Sequence, residues 1–132
     1  APHSKEDKNK KYPASPSGMP GVQTILPIML NHINNKKLSL EQLIKLMCEN
    51  PCKIFSIQNK GYIKEGFDAD LTIVDMNKKK IIKNEMMATK CGWTPFHDMA
   101  IKGFPFATII NGKMVMSEGK VIKEGFGRPL EF

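Results

Sequence analysis

The sequence is poor in arginine and has few aromatic residues. Only one of its twenty basic residues, Arg128, is an arginine, and the many lysines give a net charge of +7. Arginine is the side chain that recognises bases and phosphates with two hydrogen bonds, and the sequence has no aromatic stripe on which bases could stack. The scattered lysines therefore indicate a solvated surface, and we expect no nucleic-acid partner.

The sequence also has little cysteine and no long apolar run. Cys48 and Cys52 are four residues apart, and Cys91 is remote from both. Structural zinc sites normally need a fourth ligand and tighter pairing, so we expect three reduced thiols that bind no metal. No apolar run is long enough to cross a bilayer and no stretch is typical of a signal peptide. The sequence therefore predicts a cytoplasmic protein without a membrane partner.

The first twenty-one residues have the composition of a loop. They are rich in Pro, Gly, Lys and Ser and contain one aromatic residue, Tyr12. So long a loop is uncommon in a compact fold unless it is functional or disordered. We therefore predict a loop that contacts a substrate. Within it, Glu6 and Asp7 are expected to be solvated, with Glu6 paired to a nearby lysine.

The next segment has the periodicity of a helix. Apolar residues recur at spacings of three and four between residues 22 and 34, which predicts one buried stripe. Pro27 lies inside the stripe, so we expect it either to kink the helix or to mark its first turn. The stripe consists of Val22, Ile25, Leu26, Met29, Leu30 and Ile33.

A second helix is expected after the polar turn at residues 34–37. Ser39 and Gln42 have the spacing of a capping box, which predicts the first turn. The helix is expected to end at Asn50-Pro51, where the proline opens one further turn. Its predicted buried residues are Leu40, Leu43, Ile44 and Met47.

Beyond residue 58, glycines separate short β-prone runs, so helices are followed by a predicted antiparallel sheet. Residues 70–75 and 80–83 are expected to pair across a turn at 76–79, with Asp68 and Asp70 as turn and strand-entry residues. Residues 90–97 are expected to be irregular. His97, at the end of this stretch, is expected to serve packing or to lie at the surface.

The last third of the sequence has a strong hairpin signal. Residues 106–110 and 113–117 flank Asn111-Gly112, and both of these turn residues tolerate positive φ. A further short strand is predicted at residues 120–123 after a second turn. The sequence thus predicts a small sheet built from neighbouring strands.

Four stretches of the sequence form recognisable motifs. They are Ala1-Pro-His-Ser-Lys-Glu-Asp-Lys8, Ser17-Gly-Met-Pro-Gly21, Lys60 to Asp75, and Thr94-Pro-Phe96 together with Ile110 to Val115. Together they resemble the dihydroorotase family of the amidohydrolase superfamily, and the match covers essentially the whole chain. Its discriminating part is the Ala-Pro-His start, because hydantoinases and allantoinases share the third stretch but usually carry another residue where His3 stands.

The resemblance implies an α/β fold, the C-terminal end of a (β/α)₈ amidohydrolase barrel followed by part of a small antiparallel β-sandwich domain. Residues 1–58 would form the last substrate loop and the C-terminal helices of the barrel domain. Residues 59–132 would form the C-terminal part of the β-sandwich. Active sites of such barrels lie at the C-terminal ends of the strands, where a loop at the start of this chain would belong.

The resemblance also implies an activity, the reversible cyclisation of N-carbamoyl-L-aspartate to L-dihydroorotate in pyrimidine biosynthesis. The family uses one or two Zn²⁺ ions, whose Asp ligand would precede Ala1 by two residues. The family's other metal ligands have no counterpart here, so we expect no catalytic or metal-binding residue in this chain. His3 matches a position that binds the substrate carboxylate, and Ser17 and Gly18 match loop positions whose backbone touches the ring or its carboxylate.

Two alternatives stay open. One is another cyclic amidohydrolase, a hydantoinase or allantoinase, and the other is a non-catalytic dihydroorotase-like scaffold. The expected partners are the small-molecule substrate, the N-terminal portion of the same enzyme, and either a second copy or aspartate transcarbamoylase. We expect the isolated chain to be inactive without that N-terminal portion.

Overall fold

A computed structural model describes residues 3–130, in which a helical half precedes a four-stranded antiparallel sheet. This order agrees with the sequence prediction. None of the described helices combines the length and apolarity needed to span a membrane. The helices are α1 (Lys5–Lys8), α2 (Ile25–Asn34), α3 (Leu40–Ile44) and α4 (Asn50–Ile54), with a π-helical turn at Lys45–Glu49 and a 3₁₀ turn at Asn84–Met86. The strands are β1 (Leu71–Ile81), β2 (Ala100–Ile110), β3 (Lys113–Ser117) and β4 (Lys120–Val121), and they lie side by side in this order.

Helix α2 begins later than its apolar stripe suggested. Because it starts at Ile25, Pro27 lies in the first turn, where its missing N–H would have no partner within the helix. The first-turn alternative for Pro27 is therefore correct. The predicted buried stripe is only partly correct, because Val22 precedes the helix and is 95% exposed while Leu30 is fully buried.

The capping box at the start of α3 is confirmed. The Ser39 hydroxyl accepts the Gln42 N–H at 3.2 Å, and the Gln42 side chain accepts the Ser39 N–H at 2.9 Å. The predicted further turn after Pro51 is confirmed as α4, but the predicted end of the helix at Asn50-Pro51 is wrong, because a π turn joins α3 to α4 without a break. Pro51 has no N–H for the carbonyl four residues earlier, and the preceding π turn, in which the Asn50 N–H bonds to the Lys45 carbonyl, accommodates it.

The predicted buried face of α3 is also wrong for most of its residues. Of the four predicted side chains only Leu43 is buried, and Leu40 and Ile44 are exposed. The helical stretch from α3 to α4 therefore keeps an apolar surface that the other described residues do not cover. We call it the α3–α4 apolar surface; its exposed residues are Leu40, Ile44, Leu46, Ile54 and Phe55.

The predicted pairing of residues 70–75 with 80–83 is wrong. Both stretches belong to one long strand, β1, which pairs with β2 on either side of a bulge. Asp75 lies opposite Phe104 and Lys79 opposite Lys102, so three residues of β1 face one of β2. The Asp75 carboxylate accepts the N–H groups of Asn77 and Lys78 at 2.8 and 3.1 Å. The turn chemistry was thus correct, but the chain does not reverse there.

The hairpin at Asn111-Gly112 is confirmed. Both residues have positive φ, +49° and +73°, and the flanking strands β2 and β3 pair at Ile110 and Lys113. The last predicted strand is shorter than expected, because β4 contains only Lys120 and Val121.

Asp70, at the entry to β1, connects two loops to the hairpin. Its carboxylate binds Lys60 Nζ at 2.6 Å and accepts the Asn111 N–H at 2.7 Å. Lys60 also contacts Asp68 at 2.8 Å. The hydrogen bond from Lys60, with a smaller contribution from the Asn111 N–H, lowers the pKa of the Asp70 carboxyl. Both aspartates therefore have structural roles in the turn and strand entry, as the sequence indicated.

Helix α2 packs against β2 at a glycine. Gly103 has a φ of +103°, and a Cβ at this position would lie 2.7 Å from the Leu30 Cβ. Real Cβ contacts are essentially never that short. Leu30 can therefore occupy the sheet surface only because residue 103 has no side chain.

Two asparagines of α2 form hydrogen bonds with backbone groups beside the β-bulge. Asn34 Nδ2 donates to the carbonyls of Met76 and Lys102, each at 3.0 Å. The buried Asn31 accepts the Lys102 N–H at 3.0 Å. Since buried backbone groups need partners, these side chains replace the strand pairing that the bulge interrupts.

We predict that Gly103→Ala destabilises the protein by about 2–5 kcal/mol, because positive φ and a steric overlap with Leu30 add together. Gly119→Ala is the matched control, since Gly119 has a φ of +83° and open space around its Cβ position. It should cost only the conformational part, about 1–2 kcal/mol. Urea unfolding measures both. Equal losses in the two variants would contradict the close contact between α2 and β2.

Candidate functional site

The N-terminal loop contains one short helical turn that composition did not indicate. The Ser4 hydroxyl accepts the Asp7 N–H at 3.1 Å and donates to the Asp7 carboxylate at 2.7 Å, which starts α1. Asp7 also pairs with Lys10 at 2.6 Å. The expected ion pair of Glu6 is therefore replaced by one of Asp7, because Asp7 lies on the side of the turn that faces Lys10.

Two of the three predicted substrate-binding residues, His3 and Gly18, are in contact. Gly18 has a φ of +86°, and a Cβ there would lie 3.0 Å from Cε1 and 3.1 Å from Nε2 of the His3 ring. The third, Ser17, is exposed beside Gly18. Ala1 and Pro2, with which the motif begins, lie outside the described residues. The absence of a side chain at Gly18 thus makes room for the imidazole.

The loop is closed by contacts of Lys8 across its base. The Lys8 ammonium donates to the Pro16 carbonyl, and the Ser15 hydroxyl donates to the Lys8 carbonyl at 3.2 Å. These bonds join Lys8 to residues 15 and 16, within the segment between His3 and Gly18. The loop therefore has a defined shape, although α1 is the only regular element among its described residues.

The His3 side chain is half-buried and incompletely bonded. Its Nδ1 atom is buried and has no hydrogen-bond partner among residues 3–130. Burial lowers the pKa of the His3 imidazole, and the charge of Lys8 lowers it further. The neutral ring can offer one N–H donor and one acceptor. A buried polar atom without a partner is unusual in a folded protein, so this nitrogen is a candidate contact for a ligand or for residues outside the described part.

The irregular segment at residues 84–97 covers the other side of His3. The Trp93 indole Nε1 donates to the His3 backbone carbonyl at 2.6 Å. The His3 backbone N–H and, to a smaller extent, the Thr89 hydroxyl favour the thiolate of Cys91 and lower the pKa of Cys91. Sequence reasoning placed Trp93 in an irregular stretch but did not connect it with His3, because no local pattern predicts a contact between residues ninety positions apart.

The same segment is fixed to the rest of the fold by side-chain-to-backbone bonds. Gln23, just before α2, donates to the Met86 carbonyl at 2.7 Å and accepts the Ala88 N–H at 2.8 Å. Asn84 is held by His97, whose Nδ1 accepts the Asn84 N–H at 3.1 Å. This contact gives His97 the structural role that the sequence indicated.

The described residues do not form a metal site. Between residues 3 and 130, no three His, Cys, Asp or Glu side chains lie close enough together to hold an ion. His3, His32 and His97 belong to different parts of the fold, the N-terminal loop, α2 and the irregular segment. The open cavity of about 510 Å³ beside α2 and the sheet is lined by lysine, asparagine, isoleucine and alanine side chains, and none of its lining residues is a His, Cys, Asp or Glu.

Residues 21–115 match the sequence model of the amidohydrolase family. The chain belongs to the amidohydrolase family. Enzymes of this family are generally metal-dependent. The match includes α2 to α4 and the sheet through most of β3, and it begins after the loop that carries His3, Ser17 and Gly18.

Curated relatives of this amidohydrolase segment are dihydroorotases. The chain is 42% identical over 123 residues to the dihydroorotase of Methanosphaera stadtmanae, which covers 93% of this chain and 29% of that protein. It is 43% identical to the Pyrococcus furiosus dihydroorotase, with 92% and 28% covered. The Bacillus subtilis dihydroorotase is 36% identical, with 93% and 29% covered. The chain thus spans less than a third of the length of these relatives.

Solved structures similar to the segment are hydantoinases. The L-hydantoinase of Arthrobacter aurescens matches with a TM-score of 0.84 and 35% identity, covering 89% of this chain and 27% of that one. A D-hydantoinase matches with a TM-score of 0.83 and 28% identity, covering 92% and 27%. The predicted α/β class, with helices before an antiparallel sheet, is therefore confirmed. The division at residues 58 and 59 stays a prediction.

We predict that Lys8→Gln raises the pKa of the His3 imidazole. Lys8 disfavours the protonated ring through its positive charge, so neutralising it makes protonation easier. The measurement is a pH titration of the His3 ring protons by NMR. Lys10→Gln is the matched control, because Lys10 is paired with Asp7, and it should leave the midpoint unchanged. A Lys8→Gln midpoint equal to the parent's would contradict the electrostatic contact.

Proposed function

We propose that this segment is part of a dihydroorotase and that it provides the loop that binds the substrate. The observation that carries the proposal is the arrangement of His3, whose ring packs on Gly18 with one buried nitrogen unpaired. Support also comes from the three curated relatives described above, which are dihydroorotases at 36–43% identity. The reaction is the reversible cyclisation of N-carbamoyl-L-aspartate to L-dihydroorotate in pyrimidine biosynthesis, and the setting is the cytoplasm.

In this proposal the imidazole of His3 binds a carboxylate of the substrate. Its lowered pKa keeps the ring neutral near pH 7, and a neutral ring donates one N–H to an anionic oxygen. The Gly18 backbone approaches the ligand closely beside it, and Ser17 lies exposed at the same turn. The ammonium of Lys8, near enough to affect His3, adds a favourable field for a dianionic substrate.

The zinc ions of the proposed enzyme would be held by residues outside this segment. The described residues do not fit a metal site, so the segment's own part is confined to binding and orienting the substrate. We assign no acid–base or nucleophilic step to any of its residues. The isolated chain should accordingly lack turnover.

The remaining two-thirds of the enzyme is the proposed partner of the α3–α4 apolar surface. Exposed apolar patches of this kind mark interaction sites, and the relatives are more than three times longer than their match to this chain. We propose that residues 1–58 complete a barrel with that N-terminal portion and that residues 59–132 belong to a smaller β domain. A second copy and aspartate transcarbamoylase are proposed further partners.

The hydantoinase-like fold supports a second candidate, another cyclic amidohydrolase. The two candidate functions can be distinguished by assaying the full-length protein that carries this sequence with dihydroorotate, hydantoin and allantoin. We predict turnover of dihydroorotate and of N-carbamoyl-L-aspartate in the reverse direction. Preference for hydantoin or allantoin would replace the proposal, and inactivity toward every substrate in metal-loaded protein would support a non-catalytic scaffold.

We predict that His3→Ala raises the substrate KM of the full-length enzyme by about 10- to 100-fold, the worth of a hydrogen bond to a charged group. The value of kcat should change little if the contact is equally strong in the transition state. His32→Ala is the matched control, because His32 lies in the last turn of α2, and its KM should equal the parent's. An unchanged KM in His3→Ala would remove the assigned role.

A further inference from the structure

We propose that Trp93 is a positioning residue that holds the substrate-binding loop through the backbone of His3. This inference rests on the proposed function of His3 and adds a residue that acts on it from a distant part of the sequence. The contact is the hydrogen bond from the indole Nε1 to the His3 carbonyl, 2.6 Å long. Both groups are partly buried, so water competes with the bond less than it would at an exposed site.

His3 needs such a contact because regular structure does not fix it. It precedes the four-residue α1, and no helix or strand of the described chain includes it. On one side its ring packs on Gly18, and on the other its carbonyl binds Trp93. A side chain is positioned well only when its supporting contacts are themselves fixed, so these two neighbours determine where the imidazole lies.

Hydrogen bonds connect the segment around Trp93 to the rest of the fold. The next residue, Thr94, is 3% exposed, and its N–H binds the Asn84 side chain at 3.0 Å. The bonds from Gln23 fix residues 86–88 of the same segment to the start of α2. At the other end, the Asp98 N–H binds the carbonyl of the fully buried Ile82 at 2.8 Å. The positions of α2 and the sheet therefore determine where the segment places the indole of Trp93.

Trp93 binds the backbone carbonyl of His3 rather than its imidazole, and this has a functional consequence. Because Trp93 binds the main chain of His3, it occupies neither ring nitrogen. The indole therefore places the imidazole without competing for it. Loss of this bond should weaken substrate binding by leaving the ring less well oriented before the substrate arrives.

The test is Trp93→Phe in the full-length enzyme, which keeps an aromatic ring and removes the N–H. We expect KM for N-carbamoyl-L-aspartate to rise by about three- to tenfold, as for loss of one neutral hydrogen bond, while kcat is unchanged. Asp70→Asn is the control, because it breaks a contact to Lys60 and the hairpin that is remote from His3. It should lower stability and leave KM at the parent value.

A second variant covers the case in which Trp93→Phe does not fold. Replacing Trp93 by 3-benzothienylalanine keeps the shape of the bicyclic ring and substitutes sulfur for the N–H. The same rise in KM is expected. An unchanged KM in a folded, active enzyme carrying either substitution would overturn the positioning role.

NMR separates failure of this inference from failure of the proposed function. The resonances of the His3 ring should move in Trp93→Phe and stay in place in Asp70→Asn, whatever substrate the enzyme uses. The His3→Ala variant retains the backbone carbonyl of residue 3. The indole N–H resonance of Trp93, which Trp93→Phe lacks, should therefore persist in His3→Ala. Unmoved His3 resonances in Trp93→Phe would overturn the inference, whereas absence of dihydroorotate turnover would overturn only the proposed function.

Discussion

The close contact between α2 and β2 at Gly103 is the constraint on which the rest of the structure depends. The Leu30 Cβ occupies the space that any side chain at residue 103 would need, so helix and sheet approach more closely than two layers with ordinary side chains. At this distance Asn31 and Asn34 reach the backbone beside the bulge. The packing of Leu30 on Gly103 and the hydrogen bonds of the two asparagines therefore depend on each other. Neither asparagine could reach the backbone beside the bulge from a more distant helix.

This contact has effects beyond the core. Gln23 lies directly before α2, so the position of the helix decides where its side chain binds residues 86–88. The segment at residues 84–97 in turn carries Trp93 to His3. A chain of short-range contacts thus connects the helix–sheet junction with the loop proposed to bind substrate. Beyond the helix–sheet junction these contacts are hydrogen bonds between a side chain and a backbone group, and they fix segments that have little regular structure of their own.

The parts of the fold that sequence reasoning predicted correctly depend on interactions within a few residues. The capping box of Ser39 and Gln42 and the Asn111-Gly112 turn are examples, since their partners are near neighbours. The errors arose where distant partners decided the outcome. Asp75 forms the expected turn contacts, yet pairing with β2 keeps the strand running in one direction. Pro51 was expected to end a helix, but a π turn accommodates it.

The candidate site shows the same division. His3, Ser17 and Gly18 were chosen because they match motif positions, and composition alone would have indicated only a loop. The contact between His3 and Gly18 was not predictable from spacing, because fourteen residues, most of them without regular structure, lie between them. The contact of Trp93 with His3 was even less predictable from the sequence, since the partner of Trp93 is a backbone carbonyl, which carries no sequence signal.

The unpaired nitrogen of His3 gives these contacts an energetic meaning. A buried polar atom without a partner is less favourable than one that is bonded, and such a cost persists only where surrounding contacts determine the position. Gly18 and Trp93 are those contacts on the two sides of the residue. A ligand or neighbouring residue that bonds Nδ1 recovers this free energy on binding, with little further ordering of the ring. In the proposed function, the loop holds the His3 imidazole ready for the substrate, at a small cost in the stability of the segment.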